Sequence, residues 1–571
     1  MKKSVIYMFA ASVLLLSSCN DFLEKSPRDT FTNNPAFWSN LNDVTSYSNK
    51  FYDNYVGFSQ AGGAGWFYFK SLSDDQARGG FEDWTYKTIP NTSTNWSGPF
   101  TEIRRIDYML QGLQGSTLAA QDKNRFIAIG RLNRAWEYYQ LVREYGDVEW
   151  IDYPILDPED EKVSGDRDDR DVVMDSVLND LNYAIANLPS VSDKTAWSKE
   201  MALAMKSDIC LYEGTYCKYR TQADNGKAAD ASRAQKFLQE SVAASEAIMN
   251  SGLFGLSDNY GDIYNSLSLG ESKEIIFYRN YEKDIVMHGL CDYTNSSSEQ
   301  YGITKDAIDA FLFTDGKPLA TTSMDKDDKA VKNANGNYSI AKILNNRDKR
   351  LSVLLDSIIC FKGHGWARLN EQGLPSGSAQ MTSSTGYTIR KYDNTSVEAY
   401  YRTNTNTNYT DAPLYWYAVI LLNEAEAKAE LGTITQADLD NTVNLLEKRA
   451  GLPNLTLQPA ADPANNMNVS NLIWEIRRCR RCELMADNWY RYWDLVRWHQ
   501  LDKLDSQKYP NINLGANLTN VTDNSSTVNA ENYIVATSKT RTFESKYYFY
   551  PVPTNEISLN KNIKQNPNWD K

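Results

Sequence analysis

The stretch FIAIGRLNRAWEYYQLVREY, residues 126–145, determines the fold class that the sequence predicts. Its small and apolar side chains recur every three or four residues, at Ala128, Leu132, Ala135, Tyr139 and Val142. This spacing places them on one face of a helix, and Gly146 follows at a position where helices commonly end. The stretch therefore predicts an amphipathic helix that packs one face against a neighbour.

The same spacing recurs in four other segments. They are residues 202–216, 234–249 ahead of Gly252, 414–431 and 473–496. Amphipathic helices bury their apolar stripes by pairing, as in helical-repeat proteins, although no strict repeat of 34 residues is present. The sequence thus predicts a mainly α-helical protein whose helical scaffold lies mainly in residues 100–252 and 412–500.

Between the helical blocks the composition changes. Residues 40–99 and 253–410 are rich in Gly, Asn, Ser, Thr and Asp and contain only short apolar pieces. This composition is typical of loops, and long ordered loops on a rigid scaffold commonly carry binding sites. Because no Pro-, Ser- or Gly-rich linker divides the chain, we expect residues 19–571 to form one unit whose loop-rich regions bind the ligand.

The first residues have the pattern of an export signal. Lys2 and Lys3 precede an apolar run, residues 5–16, that leads through two serines into Cys19. The run is too short to span a bilayer, so residues 1–18 are predicted to be a lipoprotein signal peptide, with Cys19 acylated after cleavage. An ordinary secretory signal that happens to contain a cysteine is the alternative.

The charge balance is acidic. The chain carries 60 Lys and Arg against 73 Asp and Glu, a formal net charge of −13, and removal of residues 1–18 takes away two lysines and no acid, which gives −15. An acidic surface without a Lys/Arg-rich run repels phosphate backbones, so nucleic acid is not expected as a partner. No later apolar stretch approaches the ~20 residues of a membrane-spanning helix, which leaves the lipid on Cys19 as the expected membrane attachment.

Patterns for catalysis and metal binding are weak. Adjacent acids such as Asp74–Asp75 carry no sign of the shared scissile bond that a glycoside hydrolase requires. The three histidines lack the His-Glu-x-x-His spacing of zinc hydrolases. Cys479 and Cys482 have the spacing of a redox or zinc pair, but they lie on the apolar stripe of a predicted helix, where we expect them to be buried. The sequence therefore predicts no catalytic residue, no metal and no cofactor.

A series of short motifs spans the chain. They are DFLE at 21–24, RAWEYY at 134–139, YGDV at 145–148, DAF at 309–311, DG at 315–316, NRDKRL at 346–351, LNEAEA at 422–427, IR at 476–477, RR at 480–481, EL at 483–484, DLVRW at 494–498, YPVP at 550–553, EI at 556–557 and QNP at 565–567. In this order, the motifs resemble those of the SusD/RagB family of outer-membrane lipoproteins. The resemblance covers nearly the whole mature chain.

The resemblance implies a SusD-like helical fold with tetratricopeptide-like helix pairs and a loop-rich ligand site. It also implies a lipid-anchored protein on the outer face of the cell outer membrane. Such a protein binds oligosaccharide or polysaccharide without catalysis and delivers it to a SusC-like TonB-dependent transporter. Two alternatives stay open, namely a peptide-binding, RagB-like protein of the same family and a glycoside hydrolase.

The loop regions contain the residues that we expect to contact a ligand. Sugar rings offer apolar faces to indole and phenol rings, while Asp and Arg side chains hydrogen-bond the ring hydroxyls. Trp84 is the foremost candidate platform, because Gly79–Gly80 and Asn91–Asn95 flank it with loop-forming residues. The other candidates are Trp66, Asp75, Arg78, Tyr86, Tyr293, Tyr301, Trp366 and Arg368. For each aromatic residue, packing in the core is the alternative.

Overall fold

The structure is a computed structural model of the 571-residue chain. It describes residues 34–59, 67, 72–295, 297, 299–370, 372–487 and 490–570, with the backbone alone for residues 291–293. The predicted signal peptide, Cys19 and Trp66 lie outside the described residues.

The described residues are mainly helical, as the sequence predicts. The helices are α1 Pro35–Trp38, α2 Leu41–Asn49, α3 Thr94–Gln114, α4 Ala120–Tyr145, α5 Arg170–Asn187, α6 Lys199–Tyr219, α7 Gln222–Asn225, α8 Ala231–Met249, α9 Leu290–Asn295, α10 Lys305–Ala310, α11 Ala341–Asn345, α12 Lys349–Leu354, α13 Ala399–Thr403, α14 Tyr417–Leu431, α15 Gln436–Asn441, α16 Val443–Ala450, α17 Asn471–Glu483, α18 Tyr490–Arg497 and α19 Thr554–Leu559. None of these helices is both long enough and apolar enough to cross a membrane.

Short strands pair across the loop regions. They are β1 Gln76–Ala77, β2 Ile275–Arg279, β3 Glu299–Gln300, β4 Gly302–Ile303, β5 Val331–Lys332, β6 Tyr338–Ser339, β7 Thr382–Ser383, β8 Ala412–Trp416, β9 Leu514–Asn517 and β10 Tyr533–Val535. Each forms a two-stranded ladder with one partner: β1 with β4, β2 with β8, β3 with β7, β5 with β6 and β9 with β10. Among these ladders of the described residues, β3 with β7 is parallel and the others are antiparallel. Three of these ladders, β1 with β4, β2 with β8 and β3 with β7, tie together segments that are far apart in the sequence.

The longest helices pack against one another to form the helical frame. Helix α4 packs on α3 and α5, α6 packs on α8, and α14 packs on both α6 and α8. The helix predicted over residues 126–145 is confirmed, because α4 spans it and ends at Tyr145, and the next residue, Gly146, has a φ of 74° that favours glycine. The stripe over residues 473–496 forms two helices, α17 and α18, since the chain leaves the helix after Glu483 and Ala486 adopts a φ of 68°.

A buried ion pair joins α18 to α14. Arg497 donates two hydrogen bonds to the Glu426 carboxylate, at 2.6 and 2.7 Å, and the Trp498 Nε1–H donates a third at 2.6 Å. The side chains of Arg497 and Glu426 are almost fully buried. Burial alone would raise the pKa of Glu426, but the charge and hydrogen bonds of Arg497 outweigh it and lower the pKa to about 2.

A second buried cluster joins α12 and α16 to α17. The Arg350 guanidinium donates to Asp348 at 2.6 Å and to Glu483 at 2.9 Å. Arg449 donates to the same Glu483 and, at 2.9 Å, to Glu274. Because a buried charge is tolerated only when it is paired, this network of paired charges holds α12, α16 and α17 together.

The cysteine pair of α17 is structural. Cys479 and Cys482 are buried and carry free thiols, which confirms the prediction that they pack as small apolar side chains. Burial raises the pKa of both thiols above the ordinary value, so neither is a reactive thiolate.

The Arg497–Glu426 pair makes a testable contribution to stability. We expect Glu426→Gln to lower the free energy of unfolding by ~3–5 kcal/mol at neutral pH, because it leaves the Arg497 charge buried and unpaired. Folding lowers the pKa of Glu426 from 4.5 to about 2, so its contribution is complete above pH 4.5 and is lost as the pH falls toward 2. Urea unfolding from neutral to acid pH should therefore give values for wild type and variant that converge on acidification.

Asp53→Asn is the matched control for this substitution. Asp53 pairs with Lys50 at the surface, where both side chains are more than half exposed. Asp53→Asn should change the free energy of unfolding by less than ~1 kcal/mol. Equal losses from the two substitutions, or a Glu426→Gln deficit that does not shrink at acid pH, would argue against the pairing.

Candidate functional site

Two of the predicted ligand residues, Arg78 and Tyr301, meet at the surface of the loop regions. Strands β1 and β4 pair with Ala77 opposite Gly302, which brings the residues that flank the strands together. The Arg78 guanidinium donates to the Tyr301 hydroxyl at 2.6 Å and lies 4.7 Å from the centre of its ring. Both side chains are partly exposed, so the pair presents a ring and a cation to solvent.

Gly79, Gly80, Glu299 and Ser384 surround this pair, and we call the six residues the loop face. The Gly79 N–H donates to the Ser384 Oγ at 2.9 Å. A Cβ on Gly79 would lie 2.9 Å from a carboxylate oxygen of Glu299, which places this exposed carboxylate next to the Gly79 backbone. The loop face therefore combines an aromatic ring, a guanidinium and an exposed carboxylate next to the two glycines, Gly79 and Gly80.

Sequence reasoning missed Glu299 and Ser384. Both lie in polar stretches without a motif, and their positions follow from the parallel pairing of β3 with β7, in which Glu299 is opposite Thr382. Strand pairs of two residues leave no periodic pattern in the sequence. No local signal could have connected the two segments.

Asp75 lies beneath β1 and not on the loop face. Arg481 donates to Asp75 at 2.7 Å, and Arg491 donates to the neighbouring Asp74 at 2.8 and 2.6 Å. Burial would raise the pKa of Asp74, but the charges of Arg481 and Arg491 outweigh it and hold that pKa well below its usual range. The prediction that Asp75 contacts a ligand is corrected: its carboxylate is buried and ties the start of β1 to the helical frame.

Trp84 is a core residue. It is 5% exposed, and its ring stacks on Tyr547 with centroids 4.4 Å apart. Its Nε1–H donates to the Thr542 carbonyl at 2.7 Å. The prediction of a stacking platform is therefore wrong for Trp84, because the flanking glycines indicate a loop but do not reveal that a segment 458 positions away covers the ring.

Tyr86 packs against the same C-terminal region. Its hydroxyl is 2.7 Å from the Ser93 Oγ, and its ring meets Tyr550 edge-on at 5.1 Å. These contacts do not bring Tyr86 to Arg78 and Tyr301. Tyr293 is described by its backbone alone, in α9.

Trp366 and Arg368 differ in exposure although they are two residues apart. Trp366 is partly exposed and packs on Ile358, Cys360 and Met381, the residue before β7, so it lies near the strand that carries the loop face. Arg368 is buried and donates to Asp356 at 2.5 Å. The prediction that Arg368 contacts a ligand is corrected, because its buried guanidinium pairs with Asp356 and so connects two loop segments.

One cluster among the described residues has the donor atoms of a metal site, namely Asp171, Glu213 and Cys217. Its carboxylates are already paired, since Arg220 donates to Asp171 at 2.7 Å and Arg170 donates to Glu213 at 2.6 Å. Guanidinium groups satisfy both acids, so we assign this cluster to the packing of α5 on α6.

Comparisons with known proteins give the family. A family model described as the SusD family matches residues 245–569, more than half of the chain. The chain belongs to the SusD/RagB family. A second model, described as "Starch-binding associating with outer membrane", matches residues 21–211. SusD/RagB proteins are non-catalytic binding proteins, and this chain is therefore a binding protein and not an enzyme.

Individual SusD-like proteins share parts of the sequence or the whole fold. A SusD-like protein of Bacteroides ovatus is 25% identical over 285 residues, which are 46% of this chain and 47% of that protein, so the match spans about half of the relative. A SusD-like carbohydrate binding protein from Bacteroides fragilis has a TM-score of 0.71 at 21% identity and covers 93% of this chain and 100% of its own. Surface glycan-binding protein A from Bacteroides fluxus has a TM-score of 0.59 at 18% identity, and the match covers 93% of this chain and 100% of that protein. These two likenesses show the fold.

Proposed function

We propose that this SusD/RagB protein binds an oligosaccharide or polysaccharide at the loop face and delivers it to a SusC-like TonB-dependent transporter. The observation that carries the proposal is the Arg78–Tyr301 pair, which presents an aromatic ring and a cation on loops held by a helical frame. Trp366, partly exposed next to β7, adds a second ring to the region.

The chemistry of the loop face suits a sugar. A phenol ring packs against the C–H face of a sugar ring, while Arg78 can donate to hydroxyls and Glu299 can accept from them. Because the hydrogen bond from Arg78 already orients Tyr301, little conformational entropy is lost when a ligand arrives. Two solved relatives are named as a carbohydrate binding protein and a surface glycan-binding protein, which supports a saccharide over a peptide.

Membrane attachment is the second part of the proposal. The sequence offers Cys19 as the acylation site, and the description of the second family model names an association with the outer membrane. A lipid on Cys19 would hold the loop face near a transporter in the same membrane. This proximity raises the effective concentration of captured saccharide at the transporter.

The loop face is tested by pairing Tyr301→Ala with Trp84→Ala. Loss of the Tyr301 ring should weaken saccharide binding about ten- to hundredfold, which corresponds to the binding free energy that one stacked ring contributes. The melting temperature should barely change. Trp84→Ala should do the reverse, lowering the free energy of unfolding by ~3–5 kcal/mol while the affinity of the folded protein is unchanged. Titration calorimetry and thermal melts of both variants measure the two effects.

The saccharide for these titrations comes from a screen of the purified soluble chain against immobilised oligosaccharides, with peptides of mixed sequence in parallel. Retention of peptides and of no saccharide would favour the peptide-binding alternative. An unchanged saccharide affinity in Tyr301→Ala would refute the loop face as the binding site.

Cys19→Ala tests the anchor. The variant should be found in the soluble fraction of cells, because the lipid chains are then missing, while its saccharide affinity stays that of the wild type. Fractionation after a high-salt wash makes the comparison, since the wash removes proteins that are held only by charge. Full membrane retention of the washed variant would mean that attachment does not depend on a lipid at Cys19.

A further inference from the structure

A cavity of about 410 Å³ lies within the helical frame and shares no lining residue with the loop face. Its walls come mainly from α3, α4, α6, α17, α18 and β8. Aromatic rings contribute much of the surface, among them Trp136, Tyr139, Tyr212 and Trp493. The volume falls within the ~300–1,000 Å³ of small-molecule sites, and apolar rings with a few polar groups are their usual lining.

Several polar atoms on these walls have no hydrogen-bond partner among the described residues. They are Asn54 Nδ2, Gln140 Oε1, Arg143 Nε, Tyr212 OH and Trp493 Nε1. Tyr212 and Trp493 are 4% and 6% exposed, so bulk water does not satisfy them. Buried polar groups nearly always have a partner, and five of the unpaired atoms in the described residues line this one cavity. A molecule bound in the cavity would therefore need polar groups of its own to satisfy these donors and acceptors.

Glu137 also faces this cavity. Its carboxyl is buried, and neither a hydrogen bond nor an ion pair satisfies it among the described residues. Burial raises the pKa of Glu137 to about 8, and the nearby charge of Glu102 acts in the same direction. At neutral pH the carboxyl is therefore mostly protonated and can both donate and accept a hydrogen bond.

The charged groups on the α17 and α18 side of the cavity are already paired. Arg480 donates to Asp494 at 2.9 Å and to Asn423 at 2.8 Å, and Arg497 is held by Glu426. This wall therefore has no spare charge for an ion. It is also fixed, because each guanidinium makes several hydrogen bonds.

The unpaired groups include both donors and acceptors, and this mixture selects the class of ligand. An anion would leave Gln140 Oε1 unsatisfied, and a cation would leave the Trp493 Nε1–H unsatisfied. A hydroxyl donates one hydrogen bond and accepts others, so a molecule rich in hydroxyls can meet both kinds of group. Its C–H surfaces can pack on the aromatic rings.

We infer that this cavity is a second binding site, which takes a polyhydroxylated molecule of one or two sugar rings. The site is separate from the loop face, so the inference does not depend on the function proposed there. Ordered water is the competing occupant, since water also satisfies buried polar groups.

The test compares Tyr212→Phe with Tyr216→Phe in the full soluble chain. Both tyrosines have buried hydroxyls without a partner among the described residues, but only Tyr212 lines the cavity, so the substitutions are matched in chemistry and burial. The probes are glucose, galactose, mannose, xylose, maltose and lactose, each measured by titration calorimetry and by its effect on the melting temperature. We expect at least one probe to bind wild type and Tyr216→Phe alike, and to bind Tyr212→Phe about tenfold more weakly.

Two further variants distinguish binding in this cavity from binding at the loop face and from occupation of the cavity by water. Tyr301→Ala should leave binding of the small probes unchanged, whereas loss of their binding in this variant would place them on the loop face and overturn the inference. Gln140→Met removes an acceptor and should weaken the same probe as Tyr212→Phe does. Failure of all six probes to bind wild type, or equal affinities for Tyr212→Phe and Tyr216→Phe, would assign the cavity to water.

Discussion

Buried arginines that pair with carboxylates connect the helices and loops of this protein. Helices α17 and α18 carry several cations inward, and each must meet an acid there, because an unpaired buried charge costs ~3–5 kcal/mol. Arg497 meets Glu426 of α14, and Arg481 and Arg491 meet Asp75 and Asp74. The last two pairs join residues that are 406 and 417 positions apart, so they connect the first loop region to the last long helices.

This pairing explains where the loop face lies. Asp74 and Asp75 immediately precede β1, so anchoring their carboxylates also anchors the strand. The ladder between β1 and β4 then sets Arg78 against Tyr301 at the surface. A face built in this way is exposed to solvent and yet held from beneath, which is the preorganisation that lowers the entropic cost of binding. The same arginine-rich helices form one wall of the helical cavity, so one network supports both sites.

The sequence predicted the parts of this structure that depend on local pattern. Helix α4 and the burial of Cys479 and Cys482 follow from periodic spacing, and the ordered motifs identified the family. It did not predict which loop residues are covered, because covering depends on segments distant in the chain. Trp84 has the flanks of an exposed loop, but Tyr547 lies on its ring. The sequence also predicts that Asp75 contacts a ligand, because the arginine that pairs with it is 406 positions away and leaves no local signal.

Hydrogen–deuterium exchange tests whether saccharide binds where β1, β3, β4 and β7 meet. The soluble chain is compared with and without an oligosaccharide that it retains, at saturation. Exchange should be slower in residues 76–80, 299–303 and 382–386 when saccharide is bound, because the ligand excludes water from the loop face and reduces opening of its ladders. A bound saccharide that leaves exchange in all three segments unchanged would contradict binding at the loop face.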